Sequence, residues 1–179
     1  DAPILYYSVT EAPQKYGDSR IVAFDLTTHE KVSEKITSPQ SYNEIGSEWF
    51  PAAVVGKSLY IGRTPANLHA IAQGMVEVLN PMTLEESKFI PVNGKALSMV
   101  VAGRELYVSV RGFSQYEVCI IDTTTNEIKD RIELKDHPTS MAVVGTKLYV
   151  GLSSVTDLNK SSYKVSVIDT ATHKKITDI

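Results

Sequence analysis

The residues of this chain best suited to chemistry are two arginines, and the chemistry they suit is binding. Arg63 and Arg111 each close a strand-like phrase that begins Leu-Tyr and continues with an Ile or Val. Read as equivalent positions in successive repeats, they are predicted to converge on one anion. A guanidinium presents a planar fork of donors that matches a carboxylate or phosphate. The tryptophan Trp49, with Tyr116 and His137, completes the candidate ligand-binding set. Aromatic and arginine side chains give much contact energy per residue, so Trp49, Arg63 and Arg111 rank first. Tyr42, Glu48, His69 and Asp157 lie in segments predicted to join the same loop face. For each of these residues the plainer alternative is a solvated side chain, or one packed on a neighbouring loop.

Reaction chemistry has little support. No Gly-x-Ser-x-Gly elbow, phosphate-binding loop or dinucleotide fingerprint occurs. The carboxylate pair Glu85-Glu86 falls on an outer turn, where solvation is the default. His29 and His173 sit in matching turns on the opposite side from His69 and His137, and no pair has metal-ligand spacing. Cys119 is the sole cysteine and lies inside Val118-Cys119-Ile120-Ile121, so it reads as a buried thiol with no disulfide partner in the chain. No catalytic residue, metal ligand or cofactor is therefore expected. With 18 Lys and Arg against 21 Asp and Glu and a net charge of -3, a broad phosphate-binding surface is disfavoured, so nucleic acid is not an expected partner. No apolar run approaches the ~18 residues of a membrane-spanning helix. Asn159-Lys160-Ser161 matches a glycosylation sequon, a triplet short enough to occur by chance.

The elements that must position these residues follow from repetition. Ser98-Met99-Val100-Val101-Ala102-Gly103-Arg104-Glu105-Leu106-Tyr107-Val108 returns as Ser140-Met141-Ala142-Val143-Val144-Gly145-Thr146-Lys147-Leu148-Tyr149-Val150, and an earlier copy runs from Ala52 to Gly62. Each copy is two strands joined by a tight turn at a glycine, where positive φ costs little. A second phrase follows each one: an apolar strand ending in Asp or Asn, then a polar turn. Its four copies end at Asp25, Asn80, Asp122 and Asp169. A short side-chain oxygen there can accept from backbone N-H groups two residues on. Together the phrases make four strands per unit of about 42 to 55 residues, the size of a propeller blade. The inner strands read as continuously apolar, which fits sheets covered on both faces. The segment Pro65 to Ala72 is ambiguous and could form one or two helical turns.

Leu148-Tyr149-Val150 followed by Val165-Ser166-Val167-Ile168-Asp169-Thr170, and the close copy Leu106-Tyr107-Val108 with Val118-Cys119-Ile120-Ile121-Asp122-Thr123, resemble YVTN-type β-propeller repeats. The first two units are looser, with Ile4-Leu5-Tyr6-Tyr7 and with Asn80-Pro81 in place of Asp-Thr. The resemblance implies an all-β β-propeller of four antiparallel blades, at about 1–36, 50–92, 96–134 and 138–179, the first lacking its inner strand. It also implies half of a seven- or eight-bladed ring. A bare blade face of roughly 300 Å² would forfeit about 8 kcal/mol, so the ring is expected to be completed by further blades or by a second copy of the chain. Links from the last strand of one blade to the first of the next, and from second to third strands, should gather at one mouth, where binding usually resides. The family includes surface-layer and periplasmic proteins, which implies a bacterial or archaeal periplasmic, cell-surface or secreted protein. The implied function is a non-catalytic module presenting these loops to a protein, glycan or small ligand. The alternative is part of a lactonase-like or haem- or quinone-linked enzyme whose reacting groups lie in blades outside this sequence.

Overall fold

A computed structural model describes residues 4–10, 19–37, 51–63, 74–157 and 160–179. Tyr42, Glu48, Trp49, His69, Asn159 and the segment Pro65 to Ala72 lie outside the described residues.

The described chain forms antiparallel sheets laid out in sequence order, each strand pairing with the next. The first sheet holds β1 (Ile4–Thr10), β2 (Ser19–Asp25) and β3 (Glu30–Thr37). The second holds β4 (Ala52–Val55), β5 (Ser58–Arg63), β6 (Gly74–Leu79) and β7 (Glu86–Val92). The third holds β8 (Lys95–Ala102), β9 (Glu105–Arg111), β10 (Tyr116–Asp122) and β11 (Glu127–Leu134). The fourth holds β12 (His137–Val144), β13 (Lys147–Asp157), β14 (Lys160–Asp169) and β15 (Lys175–Asp178). This is the architecture of a partial β-propeller, and the sheets are called blades 1 to 4 below. Among the described residues no helix is long and apolar enough to cross a membrane.

Local chemistry explains the hairpins. Gly56, Gly103 and Gly145 turn the first strand into the second at φ near +60°. An Asx turn follows β2, β6, β10 and β14: Asp25 Oδ1 accepts from Thr27 N and Thr28 N, and Asn80, Asp122 and Asp169 repeat the pattern. Those backbone N-H bonds are also the leading reason that the Asp25 and Asp122 carboxyls ionise below the usual range.

Packing departs from expectation in one respect. In blades 2 and 3 the most continuously buried strands are the second and third, β5, β6, β9 and β10, whereas the first strands β8 and β12 are largely half-exposed or exposed. The reason is position. First strands of adjacent blades lie side by side along the axis, with one flank on the channel, while the middle strands are covered from both sides. Leu59 and Ile61 of β5 pack towards blade 1 with Ile21, Ala23 and Leu79. Tyr60, between them, packs towards blade 3 with Leu106, Val108 and Cys119. Tyr107 in turn faces Leu148, Val150 and Ile168 of blade 4.

In blades 1 to 3 the tyrosine of the Leu-Tyr phrase ties the blade to the next. Tyr6 Oη donates to Pro81 O at 2.9 Å, in the Asx turn of blade 2. Tyr60 Oη lies 2.5 Å from Asn126 Oδ1 and 3.4 Å from Thr123 O, in the turn of blade 3. Tyr107 Oη lies 2.6 Å from Glu105 Oε2 and 3.2 Å from Thr170 O, in the turn of blade 4.

At the last of these junctions His173 bridges Glu105 and Asp130, each at 3.0 Å. Burial raises the Glu105 pKa, but hydrogen bonds from Lys129, Tyr107 and His173 outweigh it and hold the group at about 2. A depressed carboxylate stabilises the fold above its unfolded pKa, near 4.5, and that contribution fades as pH falls towards 2. Glu105→Gln is therefore expected to lower stability at pH 7 by on the order of 1–2 kcal/mol, after allowance for solvent screening. It is also expected to flatten the decline of stability between pH 4.5 and 2. Urea unfolding across that range checks this, and equal slopes in the two proteins would contradict it.

Candidate functional site

At the mouth where the second-to-third-strand loops emerge, one row of blade 3 carries Lys95, Arg111 and Tyr116 across three strands. Arg111 is the register partner of Lys95 on one side and of Tyr116 on the other, so all three side chains lie on the face towards blade 4. The hairpin between β9 and β10 is short, closed by Gly112 N donating to Gln115 O at 2.8 Å. From blade 4, His137 opens β12 and meets Tyr116 edge-on, ring centroids 5.5 Å apart at 69°. Pro138, next in sequence, is buried and anchors this strand end.

The electrostatics of the row are cationic. Burial, and then the charge of Arg111, lower the pKa of Lys95. Burial and Arg111 act in the same order on His137 and lower it too. The nearest acid in sequence, Asp136, is taken by Lys164 of β14. Arg111 is exposed and makes no ion pair among the described residues. An anion placed here would favour the charged forms of the lysine and the histidine.

The structure brings together Arg111, Tyr116 and His137, and it separates Arg63 from them. Arg63 aligns with Val110, one residue short of Arg111, so the two arginines stand on opposite faces of their sheets. This corrects the expectation that they occupy equivalent positions: with a side-chain period of two, a one-residue offset reverses the face. Arg63 points towards blade 1, where its Nη1 donates to Glu77 Oε2 at 2.9 Å, and Lys35 holds the other oxygen of the fully buried carboxylate. Asp157, expected on the loop face, ends β13, and the ladder between β13 and β14 runs out to its pairing with Lys160. Cys119 is buried, and burial followed by Glu117 pushes its thiol far above the usual range, as for an inert core cysteine. Among the described residues no cluster of His, Cys, Asp and Glu could hold a metal ion.

Lys95 is the residue that sequence reading missed. Its signal was weak: a lysine directly after Gly94 at the start of an apolar strand.

No known protein family matches the chain by sequence, and no curated protein does. Solved structures do. Hydrazine synthase of Kuenenia stuttgartiensis superposes with a TM-score of 0.68 at 22% identity, over 89% of this chain and 42% of that one. The Dos1 propeller gives 0.67 at 12% identity, over 98% and 44%. The β-propeller domain of the Trilobed protease from Pyrococcus furiosus gives 0.62 at 14%, over 97% and 53%. The chain thus spans about half or less of the length of these structures, and at such identities the likeness carries the fold alone. The fold is that of an arc of a β-propeller, and the cationic row lies at its loop mouth between blades 3 and 4.

Proposed function

We propose that this chain is part of a non-catalytic β-propeller of the YVTN type. Its loop mouth binds a carboxylate- or phosphate-bearing group of a protein, glycan or small ligand, in a bacterial or archaeal periplasm or at a cell surface. The supporting observation is the convergence of Lys95, Arg111 and His137 from three strands, with both titrating groups disfavoured in their charged forms. Tyr116 adds an aromatic edge beside them. Trp49 and Arg63 belong to the site as first read from sequence; Arg63 is engaged with Glu77 instead.

Inorganic phosphate is the simplest probe. Its binding is expected to raise the pKa of His137, followed by the imidazole proton resonance. Arg111→Ala and Lys95→Ala are each expected to weaken phosphate about tenfold without changing the fold, since a charge-assisted hydrogen bond is worth about 1.5–3 kcal/mol. Unaltered affinity in both variants would remove the proposal.

Hydrazine synthase and dihydro-heme d1 dehydrogenase NirN among the structural neighbours support a second reading. In it the chain is the propeller part of a cofactor-bearing enzyme, and its own residues supply no reacting group. Visible absorbance of the protein purified from its source separates the two readings.

A further inference from the structure

The three blade junctions share a contact rule that extends to the free face of blade 4. Each Asx turn has a fifth residue at positive φ: His29, Leu84, Asn126 and His173, at 57 or 58°. That residue is associated at each junction with the side chain two positions before the linking tyrosine of the preceding blade, by direct contact, by a shared cluster or by a shared hydrogen-bond partner, and the two are chemically matched. Leu84 shares an apolar cluster with Ile4. Asn126 and Ser58 meet at the Tyr60 hydroxyl. His173 Nε2 lies 3.0 Å from Glu105 Oε2. An apolar pair, a neutral polar pair and an acid with a base thus fill one geometric slot in three successive junctions.

Blade 4 presents the donor half of this slot with nothing described against it. Tyr149 corresponds to Tyr107, and Lys147 to Glu105, by their partners Val167 and Asp169 in the β13 and β14 ladder. Around them Val144 is 65% and Ile179 72% exposed, whereas the corresponding Ala102 and Ile132 of blade 3 pack into the junction with blade 4. We propose that this face docks a further blade of the same repeat. The carbonyl of the second residue of its Asx turn accepts from Tyr149 Oη, and the fifth residue of that turn is acidic and pairs with Lys147. The rule also argues against a second copy of this chain as the occupant. A second copy would bring its own blade 1 turn, setting the imidazole of His29 against the Lys147 ammonium with no carboxylate between them. This inference is independent of the anion site, which lies at the other end of the strands.

The test turns blade 1 of the chain itself into the probe. His29 is exposed, and aspartate tolerates its backbone conformation, so His29→Asp supplies an acidic fifth residue without disturbing the turn. Sedimentation equilibrium of the full chain at low salt is expected to show His29→Asp associating at least tenfold more tightly than the wild type. Adding Lys147→Glu, or Tyr149→Phe, should return it to the wild-type level. Wild-type chain that associates as tightly as His29→Asp would make a second copy the natural occupant and overturn the proposal. So would association of His29→Asp that is indifferent to Lys147 and Tyr149.

Discussion

Gly74→Ala is expected to cost at least about 3 kcal/mol and to abolish phosphate binding at the loop mouth. A Cβ on Gly74 would stand 1.6 Å from Gly94 O and 2.6 Å from its carbonyl carbon. Both are backbone atoms, so no side chain can rotate away. Gly94 cannot retreat either, because a Cβ built on it already falls 2.2 Å from Arg111 O. The backbones of blades 2 and 3 therefore touch directly where the link between them passes, and Lys95 follows Gly94 immediately. Moving that link to admit one methyl group displaces Lys95 and Arg111 together. Overpacking ordinarily costs about 1–3 kcal/mol, and a clash confined to main chain lies at or beyond the upper end. Urea unfolding gives the stability and a phosphate titration gives the binding; a cost below about 1 kcal/mol would show that the backbones do not pack this closely. Gly56 is the contrast, since its Cβ would meet open space and only its φ of +58° opposes substitution.

Glu77→Ala is expected to destabilise by about 2–3 kcal/mol. The carboxylate is fully buried at the junction of blades 1 and 2, held by Lys35 of β3 and Arg63 of β5. Removing one member of a buried ionic group typically costs about 3–5 kcal/mol, because the remaining charge is left without a partner. Here Lys35 and Arg63 keep 22% and 32% of their side-chain surface exposed and can turn partly to water, which lowers the figure. The same strand position is Cys119 in blade 3 and Ser166 in blade 4, so the blade itself does not require an acid there. Accordingly, combining Glu77→Leu with Lys35→Met and Arg63→Met is expected to recover most of the stability that Glu77→Leu alone loses. Chemical denaturation of the single and triple variants decides it, and a triple variant no better than the single one would contradict the ion-pair account.

Counting outward from the Gly103 turn, Ala102 pairs with Glu105, and an unbroken ladder would set Ala96 opposite Arg111. The register instead shifts between Ala96 and Ser98, so Lys95 takes that place. A similar shift between Pro138 and Ser140 in β12 sets His137 opposite Ser153. A bulge inserts one residue and re-aims those beyond it. The bulge in β8 sets Lys95 beside Arg111, and His137 meets Tyr116 across the junction from the start of β12, and the residue types around them carry no clear mark of either contact. Arg63 failed for the complementary reason: its distance from the Leu-Tyr phrase differs by one from that of Arg111, which is easily overlooked in a list of strand ends and decisive on a pleated sheet.

Recurrence alone determined what depends on contacts close in sequence: the glycine hairpins, the Asx turns at Asp25, Asn80, Asp122 and Asp169, and the succession of blades. These are set by φ, by side-chain length and by hydrogen bonds spanning a few residues, all of which can be read from a string of letters. Only the tertiary structure decided that Tyr60 and Tyr107 reach the turns of the following blades, that Glu77 is neutralised by two cations, and that Lys95 joins Arg111, Tyr116 and His137. Each of those contacts joins strands or blades whose meeting depends on ladder register and on which face a side chain occupies. A single inserted residue reverses that face while leaving the composition almost unchanged.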